Sequence, residues 1–152
     1  AELDAFATPL LALLVSGEPL TDDDRREFGI AEAELRDDLR GRGLSLPTVV
    51  RAARGARRRG VDVVLLDDSD PETIDLADLD AVIERVTRAL DGAQDGRVVA
   101  RLLPAGREGV ATLLVDSSSG EHREVIGAIS PRAHRVGNDN RPAGGTDGPS
   151  GE

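Results

Sequence analysis

The stretch Val61-Asp62-Val63-Val64-Leu65-Leu66, with Gly60 before it and the acidic turn Asp67-Asp68-Ser69-Asp70-Pro71 after it, decides the fold. A short run rich in Val and Leu and bounded by turn formers predicts a strand. Beyond the turn, Leu76, Leu79, Ile83, Val86 and Leu90 recur at the three- and four-residue intervals of one helix face. Asp75 stands where an N-cap is needed, Asp78 suits the positive end of the helix dipole, and Gly92 is placed to stop the helix. Three more apolar runs follow, Arg97 to Leu103, Val110 to Asp116 and Arg123 to Ile129. Their connections, Pro104 to Gly109 and Ser117 to Glu121, are rich in turn formers, which predicts an antiparallel meander.

Upstream the pattern is mixed. Leu3, Phe6, Leu10, Leu13 and Leu14 have helical spacing, but Pro9 interrupts them and Leu10 to Val15 reads equally as a short buried strand. Ser16 to Pro19 is a turn, and Thr21-Asp22-Asp23-Asp24 offers N-cap chemistry for a short helical turn ending near Gly29. A helix is expected over Ile30 to Arg42, with Leu35 and Leu39 on one face and Gly43 ending it in a left-handed conformation. Thr48 to Arg59 is left open between helix and strand: Val49, Ala52, Ala53 and Ala56 suit a helix, whereas Val49-Val50 can begin a strand. From Pro131 onward the chain is Arg, Asn, Gly, Pro, Asp and Ser with Val136 as almost its only apolar side chain, a composition that cannot offset its ordering entropy. The expected fold is therefore α/β or α+β: a small mixed sheet with an antiparallel C-terminal meander, packed against two or three helices. It occupies a single domain over residues 1–130, with a subdivision near residue 70 left open, followed by a disordered tail over 131–152.

Composition narrows the chemistry. The chain of 152 residues is 39% apolar, drawn almost wholly from Ala, Val, Leu and Ile, with Phe6 and Phe28 as its aromatics. No run approaches the roughly 20 apolar residues a membrane-spanning helix needs, and no secretory signal is visible. The sequence starts at Ala1, which leaves room for an upstream membrane segment. The lack of cysteine excludes disulfides, thiolate metal sites and cysteine nucleophiles, and suits the cytoplasm. All 19 basic residues are Arg, which removes Schiff-base and phosphate-loop lysines. The Arg, Ala, Gly and Asp bias reads as the background of a GC-rich bacterial genome.

A net charge of −10 argues against a general nucleic-acid or anionic-membrane binder. Yet Arg36 to Arg59 holds eight Arg against Asp37 and Asp38, a local +6 that leaves −16 on the rest of the chain. Within it, Arg51, Arg54, Arg57, Arg58 and Arg59 are the candidate interaction residues, since guanidinium forks match phosphate and carboxylate. On a helix, residues 51, 54 and 58 share a face opposite Val49, Ala53 and Ala56, as in an amphipathic recognition helix. The absence of interleaved aromatics removes the usual stacking platforms for single strands. The plainer reading is a patch that pairs with the chain's own excess acid. A second candidate is the trio Asp67, Asp68 and Asp70, because the end of a strand is where α/β proteins hold Mg²⁺ or accept a phosphoryl group. Its plainer reading is a solvated turn leading to the cap at Asp75. His122 and His134 fall in a turn and in the tail, and Ser117, Ser118 and Ser119 lack a nucleophile-elbow frame.

Residues 9–64 resemble the C-terminal cytoplasmic domain of the YetF-like bacterial membrane proteins. The resemblance rests on Pro9, Leu13-Leu14-Val15 before Gly17, Arg25-Arg26 before Ile30, Leu35, Leu39-Arg40, Gly43, Val50, Ala53 and the run Val61 to Val64. The family's acidic residue and Asp- or Asn-Gly turn are replaced here by Ala56-Arg57-Arg58-Arg59-Gly60, and nothing from Leu76 onward resembles it. The resemblance implies an oligomerising, non-catalytic module beneath a membrane domain, at the cytoplasmic face, and makes Thr48 to Arg54 a strand.

Taken together, these readings favour a non-catalytic interaction or regulatory module with no cofactor, acting through a protein partner or self-association. One rival is a nucleic-acid-binding domain using Arg36 to Arg59, which needs residues 48–59 to be a helix. The other is a Mg²⁺-dependent phosphoryl-transfer or phospho-acceptor domain, which needs Asp67, Asp68 and Asp70 to converge.

Overall fold

A computed structural model of the chain describes residues 2–70 and 73–129. In order, these form α1 (Glu2–Ser16), α2 (Asp22–Arg40), a 3-10 turn (Arg42–Leu44), α3 (Pro47–Arg58), β1 (Asp62–Asp67), α4 (Leu76–Gly92), β2 (Arg97–Leu102), β3 (Ala111–Ser117) and β4 (Gly120–Ile126). The strands make one mixed sheet in the order β1-β2-β3-β4. β1 runs parallel to β2, with α4 as the crossover such a pair requires, and the other pairings are antiparallel. This is an α+β fold with the C-terminal meander that the turn signals predicted.

Strand residues alternate between faces, and one face carries the core. Val63 and Leu65 of β1, Val98, Ala100 and Leu102 of β2, Ala111 and Leu113 of β3, and Ile126 of β4 are all buried. Onto them pack Val49, Ala52, Ala53 and Ala56 of α3 and Val82, Val86 and Leu90 of α4. The alanine face of α3 is small, so α3 and α4 lie side by side over the sheet. This one apolar cluster draws residues from both sides of residue 70.

Several local expectations change. Leu10 to Val15 is helical, as part of α1. The short helical turn and the helix from Ile30 are one continuous helix, α2, which passes through Gly29. A capping box anchors its start: Thr21 N–H donates to Asp24 Oδ2 (2.8 Å) and Asp24 N–H donates to Thr21 Oγ1 (3.1 Å). Ion pairs Arg25–Asp22 and Arg26–Asp23 strengthen the first turns, so a glycine penalty of about 1 kcal/mol does not break it. Gly43 is no left-handed cap. The helix ends at Gly41 with φ −117°, and Gly43 is needed for close approach instead: a Cβ there would sit 2.6 Å from Leu102 Cδ1 and 2.8 Å from Asp67 Oδ2.

In α4 the stripe is rotated. Leu76 is 79% exposed, Leu79 and Ile83 are half-buried, and the buried line is Asp78, Val82, Val86 and Leu90. Spacing cannot choose between the neighbours Val82 and Ile83; the positions of α3 and the sheet do. Gly92 is the last helical residue and Ala93, in extended backbone, is the cap. A left-handed glycine is unnecessary because Arg59 reaches the carbonyls there, donating from Nε to Ala93 O (2.9 Å) and from Nη2 to Leu90 O (2.6 Å). The last strand starts earlier than expected, at Gly120, because Ser117 pairs directly with Gly120 in a tight hairpin. His122 therefore lies in β4 opposite Val115, exposed, and not in a turn.

Thr48 to Arg54, a strand by the YetF-like resemblance, lies in α3. Pro47 at the helix start removes an N–H that would have no partner there, and the Val-Ala face then finds α4 to pack against. The expected tail over 131–152, with His134, lies outside the described residues.

Candidate interaction surface

α3 meets α2 side by side, and α2 answers its arginines with carboxylates. Arg54 donates from Nε and Nη2 to Glu34 Oε1 and Oε2 at 2.6 and 2.8 Å, a bidentate pair. Arg58 does the same to Glu27, both at 3.1 Å. Arg57 is turned inward, its side chain 7% exposed, and donates from Nη2 to Asp37 Oδ2 (2.6 Å) and to Val63 O (3.0 Å). One guanidinium thus ties α2, α3 and β1 together. Arg59 caps α4, and Arg51 is exposed and makes no side-chain bond among the described residues. The five candidate arginines lie on or just after one helix, but Arg54, Arg57, Arg58 and Arg59 are engaged within the chain and do not form one free patch. The patch was visible as a charge count; its partners were not, because Glu27 and Glu34 lie far from it in sequence.

Two acids of this junction, Glu27 and Asp37, respond oppositely to their settings. The hydrogen bond from Arg58 holds the Glu27 carboxyl below its usual value. Burial pushes the Asp37 carboxyl up, outweighing the pull of Arg57. Arg57 Nη1 is buried without a hydrogen-bond partner.

Asp67, Asp68 and Asp70 do not converge. Asp67 accepts from Gly43 N–H (2.7 Å) through Oδ2 and from Ser69 N–H (2.9 Å) through Oδ1. Asp68 pairs with Arg101. The Asp70 carbonyl accepts from Thr73 N–H (2.9 Å) and Thr73 Oγ1 (2.7 Å). No group of three His, Asp or Glu side chains is placed to hold a metal ion among the described residues. The hairpin serines are structural: Ser118 Oγ donates to Asp95 Oδ2 (2.5 Å) and Ser118 N–H donates to Asp95 Oδ1 (3.0 Å), two bonds that tie the β3–β4 turn to the start of β2 and hold the Asp95 carboxyl below its usual value.

Among the described residues, what remains uncovered is one face of the sheet. Opposite the helical layer, this face presents Val64, Leu66, Val99 and Leu114, all half-buried, and Val125, 53% exposed. In register these lie across neighbouring strands, Val64 beside Val99 and Val99 beside Leu114, with Thr112 beside Val125. Arg97, Asp116 and Glu121 flank them at one end, Arg123 lies beside Leu114, and Arg101 stands between Leu66 and Thr112. β4 is the outer strand on one side, and its exposed residues Gly120 to Arg123 pair with β3 alone. The signal for the open face was present in the adjacent valines Val98 and Val99: on a strand they point to opposite faces, so the sheet is apolar on both.

No protein-family model, curated protein or solved structure matched this chain. No helix among the described residues is long and apolar enough to cross a membrane.

Proposed function

We propose that the chain is a non-catalytic interaction or regulatory module whose working surface is the sheet, and that it binds a protein partner or a second copy. The observation that supports this is the apolar face of Val64, Leu66, Val99, Leu114 and Val125 opposite the packed helices. Contiguous apolar surface rimmed by charge marks interaction sites more often than it marks bare solvent-facing sheet. The reading places the module in the cytoplasm, and at the inner face of the membrane if it is the soluble part of a longer membrane protein, as the YetF-like resemblance implies.

The nucleic-acid reading has the helix it needs, α3, but the guanidinium groups it would use are engaged by Glu34, Asp37 and Glu27. The test compares the wild-type chain with Val125→Asp, a substitution at an exposed site that leaves the core untouched. Sedimentation velocity over a concentration series and capture from cells should show self-association or a bound protein for the wild type and its loss for the variant, with circular dichroism unchanged. Labelled DNA and RNA should not bind at any salt concentration. Tight binding that falls steeply with salt promotes the nucleic-acid reading, and identical behaviour of the two chains overturns the sheet as the working surface.

A further inference from the structure

β4 reads Gly120-Glu121-His122-Arg123-Glu124-Val125-Ile126 and is an edge strand. On its outer side no strand among the described residues receives its backbone N–H and C=O groups. Such an edge is a template for another strand. Charged side chains on an edge ordinarily prevent pairing, but they do so only in registers that bring like charges together.

For two copies pairing antiparallel about a two-fold axis, the axis must stand perpendicular to the sheet, so helices lie on the same side of both and opposed residues share a face. Successive allowed registers then move the axis along the strand one residue at a time. Centred on Glu121, Arg123 or Glu124, the pairing sets a charged side chain against its own copy. Centred on His122, it sets Glu121 against Arg123 of the other copy and Arg123 against Glu121 of the other copy, on the open face of the sheet. Neither Glu121 nor Arg123 makes a side-chain hydrogen bond or ion pair among the described residues, and both are exposed. Glu124, on the opposite face, is already paired with Arg85 of α4. The strand therefore leaves unused the two charges that this register consumes.

We infer that the partner of the sheet is a second copy of this chain, joined β4 to β4 in the register centred on His122, so that two four-stranded sheets become one continuous sheet of twice the width. This rests on the interaction-module reading and names its occupant. The apolar faces of the two copies then lie on the same side of the continuous sheet, separated at the axis by the Glu121–Arg123 pairs.

The test uses charge exchange in the full chain at about physiological ionic strength. Glu121→Arg alone opposes Arg to Arg, and Arg123→Glu alone opposes Glu to Glu, so each variant should lose dimer affinity by about tenfold or more. An equimolar mixture of the two variants restores opposite charges at both positions and should form the heterodimer with affinity near that of the wild-type homodimer. The double variant Glu121→Arg with Arg123→Glu should likewise dimerise. Both sites are exposed, and circular dichroism checks that each variant folds. Hydrogen exchange supplies a second measurement: the β4 amides should be protected at high chain concentration and exchange faster on dilution. A dimer indifferent to these charges overturns the edge pairing while leaving self-association through the open face. A chain that stays monomeric, yet loses a captured protein on Val125→Asp, overturns the second copy as occupant while the interaction-module reading stands.

Discussion

The α2–α3 junction and the core beneath it join helices to one body by opposite means. α4 enters with Val82, Val86 and Leu90, all fully buried, and its hold on the sheet is apolar area. α2 contributes Ile30 as its one buried apolar residue, outside the main cluster, beside buried Glu34 and Asp37. Its hold on α3 is a set of three ion pairs, Glu27–Arg58, Glu34–Arg54 and Asp37–Arg57. Apolar packing is non-directional and tolerates volume-conserving change. An ion pair fixes register, and the more it is buried the more each charge depends on its partner. Three pairs of graded exposure make the junction a series: Arg57 is 7% exposed, Arg54 28% and Arg58 52%.

The largest effect is expected at the buried end. Arg57→Ala leaves Asp37 buried without its partner and should destabilise by about 3 to 5 kcal/mol in chemical denaturation. The double variant Asp37→Leu with Arg57→Met, which replaces the pair by apolar volume, should recover most of that loss. Failure of the double variant to recover would show that Arg57 acts mainly through Val63 O, and the contrast between junction and core would narrow.

Next is the core itself. Leu90→Ala removes a fully buried side chain between α4 and the sheet and should cost about 2 to 5 kcal/mol, transfer plus residual cavity. The cost should be insensitive to salt, unlike that of the exposed pairs. A cost below the range would mean that α4 is held chiefly by Arg59 at its C-terminal carbonyls.

Smallest is the exposed end. Arg58→Ala should cost about 0.2 to 1 kcal/mol at low salt and less as salt rises. Its pH dependence has a definite sign. The folded-state pKa of Glu27 lies below the unfolded value because of Arg58, so the pair's contribution is present above the unfolded value and is lost as pH falls through the folded one. The gap between wild type and variant should therefore close on acidification. A gap that widens would assign the effect to another group. Asp37, raised by burial, has the opposite sign: the folded state binds its proton more readily than the unfolded chain, so this group favours folding as pH falls.

Much of the architecture was legible. The run at Val61 to Leu66, the helix that follows Asp75 and the three downstream runs each appear as an element, because period and punctuation are local properties. Faces were less legible. The stripe through Leu76 and Ile83 was shifted to Val82, and Gly43 proved to be a close contact with Leu102 and Asp67 rather than a cap. In both cases the deciding atoms belong to segments distant along the chain. The candidate site divides the same way. The arginine-rich helix could be read as a face, with residues 51, 54 and 58 opposite Val49, Ala53 and Ala56, but whether that face was free could not.

Sequence by itself determined the periods, the turns, the charge blocks and the aliphatic character of the core, since each depends on residues within a few positions of one another. Tertiary structure alone decided that Arg54, Arg57 and Arg58 answer Glu34, Asp37 and Glu27, that Asp67 and Asp68 part to different partners, and that among the described residues one sheet face and the β4 edge stay open. The physical reason is range. Backbone hydrogen bonding and side-chain alternation repeat over a few residues, whereas a charge or an apolar face is satisfied by whatever the fold brings near it.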